Sequence, residues 1–143
     1  MRILVINGPN LNLLGLREPQ IYGEQSYQDL LSYLHSCGED LGIELQVFQS
    51  NHEGAIVDAI QEAYGKADGI VINPAAYTHT SIAILDALKA VALPTVEVHL
   101  SNIHERESFR RHSYISSVCL ASICGKGFSG YREALLLLLE QIK

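Results

Sequence analysis

Residues 69–88 have the sequence GIVINPAAYTHTSIAILDAL, and this stretch decides the fold. The apolar run at 69–73 predicts a buried strand, and residues 80–90 predict a helix. An amide, Asn73, and an imidazole, His79, lie between them with several hydroxyls. Because ligands of open α/β sheets bind at the carboxyl ends of the strands, this stretch predicts a substrate-binding loop. Helix capping by Thr80 or Ser81 would explain hydroxyls, but neither Asn73 nor His79.

The same alternation of apolar runs and helical patterns continues along the 143 residues. Strands are predicted at 3–7, 43–49, 69–73, 95–100 and 117–123, and helices at 26–41, 54–64, 80–90 and 129–142. Strands separated by helices indicate a parallel sheet with helices on both faces. We therefore expect a flavodoxin-like, doubly wound five-stranded parallel sheet in a three-layer α/β/α arrangement. One catalytic domain is expected to span residues 1–143.

Composition and charge narrow the classes of function. A net charge of -6 argues against a nucleic-acid partner, since such proteins carry a basic footprint. No apolar run approaches the ~20 residues that span a bilayer, so no membrane partner is expected. The chain enters a predicted strand almost at once, which predicts no signal or transit peptide. Three cysteines without metal-type spacing fit a reducing compartment, so we expect a cytoplasmic protein.

A long loop, residues 8–25, follows the first predicted strand and matches no phosphate-binding pattern. Loops of this length in a compact domain are usually functional. Arg17 and Tyr22 lie five residues apart, and a nearby guanidinium favours tyrosinate over phenol. Tyr22 is thus a candidate base at neutral pH. The alternative is that Tyr22 packs on the surface while Arg17 pairs with Glu18.

The fourth predicted strand carries a carboxylate and an imidazole on one side. Glu97 and His99 are two residues apart, which is the side-chain period of a strand. A carboxylate can fix the tautomer of an imidazole and raise its basicity, which suits His99 to general acid catalysis. Two alternatives stay open, namely metal ligation with His79 as a third ligand and a paired core contact.

A second long loop, residues 101–116, contains charges of both signs. Arg106 and Arg110 are four residues apart and would share one face of a helical turn. Either could bind an anionic or polyhydroxylated substrate through paired hydrogen bonds, although most such charge runs are simply solvated. No lysine lies in a predicted strand, where a buried Schiff-base lysine would be expected.

These motifs together resemble the type II 3-dehydroquinate dehydratase (type II dehydroquinase) family along essentially the whole chain. The matching segments are Gly8-Pro9-Asn10-Leu11-Asn12-Leu13-Leu14-Gly15, Arg17-Glu18-Pro19, Tyr22-Gly23, Ser50-Asn51-His52-Glu53-Gly54, Asn73-Pro74-Ala75-Ala76-Tyr77-Thr78-His79-Thr80-Ser81, Asp86-Ala87-Leu88, Glu97-Val98-His99-Leu100-Ser101-Asn102 and Arg110. The resemblance implies a cofactor-free, metal-free hydro-lyase of the shikimate pathway of aromatic amino acid biosynthesis. It would convert 3-dehydroquinate to 3-dehydroshikimate and water by anti elimination through an enolate.

The resemblance also implies roles for individual residues. Tyr22 would remove the proton next to the substrate ketone, and Arg17 would hold it as tyrosinate. Asn10 would position a water that stabilises the enolate. His99 would protonate the departing hydroxyl, with Glu97 orienting it. The implied substrate-binding residues are Asn73, His79, Asp86, Leu100, Ser101 and Arg110, with Asp86 reaching a neighbouring subunit's site in a dodecamer built as a tetramer of trimers.

Two other classes of function compete with the lyase. A metal-dependent hydrolase would use His79, Glu97 and His99, and would lose activity on chelation. A flavodoxin-like module that only binds a ligand would show no turnover, and fold alone cannot separate it from an enzyme.

Overall fold

The computed structural model of the chain describes residues 1–16 and 24–142. Five parallel strands form the sheet: β1 (Arg2–Asn7), β2 (Glu44–Gln49), β3 (Gly69–Asn73), β4 (Thr95–His99) and β5 (Ala121–Cys124). Their order across the sheet is β2-β1-β3-β4-β5. This is the flavodoxin-like order, and it confirms the predicted fold class.

In the described part of the chain, four α-helices cover the two faces of the sheet: α1 (Tyr27–Leu41), α2 (Glu53–Ala63), α3 (Ile82–Val91) and α4 (Ser129–Ile142). One apolar core lies under α1 and α4, and the other lies under α2 and α3. Every residue of β3 and β4 is buried, as expected for central strands with both faces covered. Within the described ranges, no helix is long and apolar enough to cross a membrane.

Local sequence signals explain where the helices begin and end. Ser26 accepts a hydrogen bond from the Asp29 N–H, and the Asp29 side chain accepts one from the Ser26 N–H, which is a capping box. Gly42 ends α1 in the left-handed conformation, at φ 68°. Ser81 caps α3 by accepting from the Ile84 N–H, so α3 begins at Ile82 and not at 80.

The strand predicted at 117–123 was wrong at its amino end. Ser116–Val118 form a short 3-10 turn, and β5 begins only at Ala121. The N–H groups of Val118 and Cys119 donate to the nearby Ile115 and Ser116 carbonyls instead of to a strand. These local bonds compete with the sheet, because an N–H that is satisfied within a turn is not available to the ladder.

The sheet register brings two of the polar loops together. Asn7 and Asn73 end adjacent strands in directly paired positions. Beyond them, the Gly8 N–H donates to the Asn73 carbonyl at 2.8 Å. A Cβ atom on Gly8 would lie 2.4 Å from the Pro74 carbonyl oxygen, so only glycine permits this approach. The loops after β1 and β3 therefore meet at one edge of the sheet.

Candidate active site

A cavity of about 250 Å³ opens at the carboxyl ends of the central strands. That volume is below the ~300–1,000 Å³ typical of sites for drug-sized ligands, so it suits a small substrate. The predicted site residues that line it are Asn10, Asn73, His79, His99, Leu100, Ser101 and Arg110. Three loops of the chain, those that follow β1, β3 and β4, thus contribute to one cavity.

Two other predicted residues are placed elsewhere. Glu97 lies beneath His99 and is completely buried. Asp86 lies on the exposed side of α3 and does not line the cavity of its own chain. Arg17 and Tyr22 lie outside the described residues.

Glu97 and His99 form a tight pair at the floor of the cavity. His99 Nε2 lies 2.5 Å from Glu97 Oε2. Because a carboxylate only accepts, Nε2 carries the proton that lies between them. The other ring nitrogen, Nδ1, is then the atom that can exchange a proton with a ligand, since His99 lines the cavity. Sequence reasoning predicted this pair from strand periodicity alone.

Three hydroxyl groups that the sequence analysis missed complete the surroundings of Glu97. Thr78 and Ser113 donate to Oε2 at 2.7 and 2.8 Å, and Ser116 donates to Oε1 at 2.6 Å. Burial alone raises the pKa of Glu97, but the His99 contact and the Ser116 and Thr78 hydroxyls lower it to about 2. Glu97 is therefore held as a carboxylate, which compensates the positive charge of a protonated His99.

This arrangement predicts a component of stability that depends on pH. Because the pKa of Glu97 falls from 4.5 to about 2 on folding, ionised Glu97 stabilises the fold above pH 4.5. We expect about 3 kcal/mol of this stabilisation to disappear as the pH falls from 4.5 towards 2. Urea unfolding of the wild type and Glu97→Gln at fixed protein concentration measures it.

Glu97→Gln is expected to be less stable at pH 7, and to approach the wild type near pH 2. Glu105→Gln, which alters an exposed carboxylate in the loop after β4, serves as the matched control and should follow the wild-type curve. Parallel curves for the wild type and Glu97→Gln would contradict the assignment.

His79 is held as a neutral imidazole on the cavity wall. Its Nδ1 lies 2.7 Å from the His112 carbonyl oxygen, which can only accept, so Nδ1 carries a proton. Partial burial lowers the pKa of His79; the His112 carbonyl opposes this, while the charges of His99 and Arg110 add to it. A neutral ring with a proton on Nδ1 has a lone pair on Nε2. His79 can therefore accept a hydrogen bond from a substrate hydroxyl.

Arg106 and Arg110 both line the cavity, but not through the predicted helical turn. Two 3-10 turns, Ile103–Glu105 and Ser108–Arg110, flank an extended Arg106. Arg110 Nε lies 2.7 Å from Glu107 Oε2, yet its N–H points off that line and makes no hydrogen bond within the described part of the chain. The guanidinium groups give the cavity the positive charge that an anionic substrate requires.

Asn10 reaches the cavity from a left-handed backbone conformation, at φ 69°. The Asn51 side-chain oxygen accepts from the Asn10 N–H at 3.0 Å and from Gln49 Nε2 at 3.2 Å. Gln49 Nε2 also lies 3.1 Å from the Gly8 carbonyl oxygen. Gln49 and Asn51, which no sequence pattern marked as site residues, fix the loop that carries Asn10.

Taken together, the cavity combines an imidazole held by a buried carboxylate, a neutral imidazole that can accept a hydrogen bond, and two guanidinium groups. Such a site can bind a small, hydroxylated anion and protonate an oxygen that leaves it. In residues 1–16 and 24–142, no group of three or more His, Cys, Asp and Glu side chains is arranged to hold a metal ion.

Comparison with known proteins places this chain in one family. The sequence model of class II dehydroquinase matches residues 1–139. A 3-dehydroquinate dehydratase of Clostridium acetobutylicum is 59% identical over 131 residues, which are 92% of this chain and 91% of the relative. A catabolic 3-dehydroquinase of Verticillium alfalfae is 58% identical over 134 residues, 94% of this chain and 89% of the relative.

A solved structure shows the same fold. The type II dehydroquinase of Butyrivibrio crossotus superposes with a TM-score of 0.95, at 52% identity and 97% coverage of both chains. The family model matches nearly the whole chain, and each of these relatives shares more than half of its residues with the chain. The chain belongs to the class II dehydroquinase family.

Proposed function

We propose that the chain dehydrates 3-dehydroquinate to 3-dehydroshikimate and water. It is a 3-dehydroquinate dehydratase, a carbon–oxygen lyase of type II. The observation that carries the proposal is the Glu97–His99 pair at the floor of a small cationic cavity. The substrate is a carboxylate with several hydroxyls and one ketone, which matches the charges and hydrogen-bonding groups of the cavity.

The first step is removal of a proton from the carbon beside the ketone. Tyr22, held as tyrosinate by Arg17, takes this proton, and the electron pair forms an enolate on the ketone oxygen. Asn10 positions a water that donates to that oxygen. The cavity-facing position of Asn10 and its fixed backbone support this role.

The second step is loss of the hydroxyl from the neighbouring carbon. As the enolate collapses to a conjugated enone, the carbon–oxygen bond breaks and His99 Nδ1 gives its proton to the leaving oxygen, which departs as water. Glu97 stabilises the imidazolium before this transfer and fixes the ring. Solvent exchange then moves the proton gained by Tyr22 back to the His99 side.

Binding groups surround these two centres. The N–H groups of Leu100 and Ser101, at the carboxyl end of β4, bind the substrate carboxylate. Asn73, His79 and Arg110 bind the hydroxyls. Their positions on the wall of one cavity support this division of roles.

The proposal also covers the domain organisation, the compartment and the partners of the chain. The chain is proposed to act as one catalytic domain over residues 1–143, in the cytoplasm, without a cofactor and without a nucleic-acid or membrane partner. The reaction belongs to the shikimate pathway of aromatic amino acid biosynthesis. Three free cysteines support a reducing compartment.

The function is tested by following the absorbance of the conjugated enone after 3-dehydroquinate is mixed with purified protein. Chelator treatment should leave the rate unchanged, whereas a metal-dependent hydrolase would lose it. Borohydride with substrate should leave the protein active and without added mass, since the mechanism needs no lysine Schiff base. Absence of enone formation would overturn the proposal and favour a module that only binds.

A dodecamer with shared active sites is part of the proposal. Asp86 lies on the exposed side of α3, and Ile82 on the same helix is 53% exposed. An exposed apolar side chain beside a carboxylate suits a surface that a second copy covers. Asp86 would then complete the neighbouring cavity.

Asp86→Ala is expected to lower kcat/KM by about 10- to 100-fold, because loss of a positioning contact misplaces the substrate. Mixing Asp86→Ala with Tyr22→Phe subunits should restore part of the activity, since some mixed trimers pair an intact Tyr22 with an intact Asp86. A mixture of Tyr22→Phe and His99→Ala is the control and should stay inactive. A scattering mass near one chain with full activity would contradict shared sites.

A further inference from the structure

We propose that Tyr131 is a positioning residue whose buried hydroxyl holds the Asn73 amide in place for the substrate. The inference rests on the proposed function, because Asn73 is there a substrate-binding group. Tyr131 lies near the start of α4 and lines no part of the cavity. It acts only through Asn73.

The side chain of Tyr131 reaches the carboxyl ends of β1 and β3. Its side chain is completely buried, and its hydroxyl donates to Asn7 Oδ1 at 2.6 Å. Asn73 Nδ2 donates to the same hydroxyl at 3.0 Å. Asn7 Nδ2 continues the chain to the Tyr27 hydroxyl, more weakly, at 3.4 Å. One phenol therefore links the last residues of β1 and β3 with α4.

The direction of these hydrogen bonds is fixed by one backbone group. The Ala75 N–H can only donate, and it lies 3.1 Å from Asn73 Oδ1, so the amide oxygen must face it. The amide nitrogen then faces Tyr131, whose hydroxyl accepts this bond. The single proton of that hydroxyl is consequently left for Asn7.

This network leaves one group of Asn73 for a ligand. The amide has two N–H bonds, of which Tyr131 accepts one, while the Ala75 N–H donates to the amide oxygen and turns it away from Tyr131. Asn73 is only 2% exposed, yet it lines the cavity. The second N–H is thus the donor available to a substrate hydroxyl. Held at its oxygen and at its nitrogen, the amide plane is fixed before the substrate binds.

A purely structural role for Tyr131 makes a different prediction. Buried phenols need a hydrogen-bond partner in any case, so the contacts could serve stability alone. Loss of stability would then be the only effect of removing the hydroxyl. A positioning role additionally requires that the effect on catalysis pass through Asn73.

The first variant is Tyr131→Phe, which keeps the ring and removes only the hydroxyl. We expect kcat/KM to fall about 10- to 100-fold in folded protein, since small displacements of binding groups have effects of this size. Tyr27→Phe is the matched control at the far end of the network and should change kcat/KM by less than about twofold. An unchanged kcat/KM in Tyr131→Phe would overturn the proposal.

A double-mutant cycle with Asn73→Ala separates positioning from stability. If Tyr131 acts through Asn73, Tyr131→Phe should cause little further loss once Asn73 is alanine. The same loss in both backgrounds would overturn the proposal, and so would a harmless Asn73→Ala.

Tyr131→Phe leaves the Asn7 oxygen without its donor, which could unfold the protein. Tyr131→Phe combined with Asn7→Leu removes that orphaned group while the Asn73 amide stays unheld. Recovery of stability with kcat/KM still low supports positioning. Recovery of both would overturn it.

A second readout needs no turnover, so that failure of the proposed function is distinguishable. Wild-type protein that forms no enone refutes the function alone. NMR of the Asn73 side-chain amide then tests the inference: its protons should shift and exchange faster with solvent in Tyr131→Phe. Unchanged shifts and exchange would overturn the inference, whatever the activity.

Discussion

His99→Ala is expected to lower kcat about 10²–10⁴-fold, the usual contribution of a general acid. His99 Nε2 is committed to Glu97, and the ring lines the cavity, so Nδ1 is the proposed proton donor for the leaving hydroxyl. Removing the imidazole leaves the hydroxyl to depart without protonation. Enone absorbance measures this loss.

The same variant should separate the two steps of the reaction. In the proposed mechanism enolate formation does not use the His99 proton, so exchange of the substrate proton with D₂O should fall much less than dehydration. His104→Ala is the matched control, since His104 is exposed on a neighbouring turn. If exchange and dehydration fell together in His99→Ala, His99 would have a role other than acid in the second step.

Tyr22→Phe is expected to lose about 10²–10⁴-fold in kcat, because Tyr22 is the proposed base of the first step. Proton exchange and dehydration should fall together, in contrast with His99→Ala. Arg17→Lys should do nearly as much damage, since lysine lacks the planar fork of a guanidinium. Tyr64→Phe, which alters an exposed tyrosine, is the matched control.

His79 is the competing base on the cavity wall. Its neutral ring has a free lone pair, but its lowered pKa makes it a weak acceptor for a carbon-bound proton. We expect His79→Gln mainly to raise KM, because it loses a contact to a substrate hydroxyl. Near-normal turnover in Tyr22→Phe with loss of proton exchange in His79→Gln would transfer the role of base to His79.

The fold was predictable because its signals are local and agree with one another. The apolar run of β3 and the Ser26–Asp29 capping box each specify one element, and alternation specifies the parallel sheet. The amino end of β5 was mispredicted because Val118 and Cys119 have apolar, strand-like side chains. Their N–H groups nevertheless bond within a turn, and side-chain character does not reveal that choice.

The candidate site was predictable only where periodicity or a motif exposed it. The two-residue side-chain period of a strand predicted that Glu97 and His99 lie on the same side, and the structure places them in contact. Thr78 lay within the quoted motif, but nothing local indicated that its hydroxyl would meet Ser113 and Glu97. Tyr131 could be expected on the buried face of an amphipathic helix. The hydrogen bonds of its hydroxyl, however, depend on tertiary packing.

In the proposed reaction the chain eliminates water from 3-dehydroquinate with base and acid on opposite faces of the ring. The measurement uses substrate with two hydrogens on the carbon between the ketone and the carbon that bears the departing hydroxyl. Only one of these two hydrogens is replaced by deuterium. Mass spectrometry then reads the label in the product. The account predicts loss of the deuterium that lies on the face opposite the leaving hydroxyl, and retention of the deuterium on the same face. Retention and loss in the reverse sense, or no product at all, would contradict it.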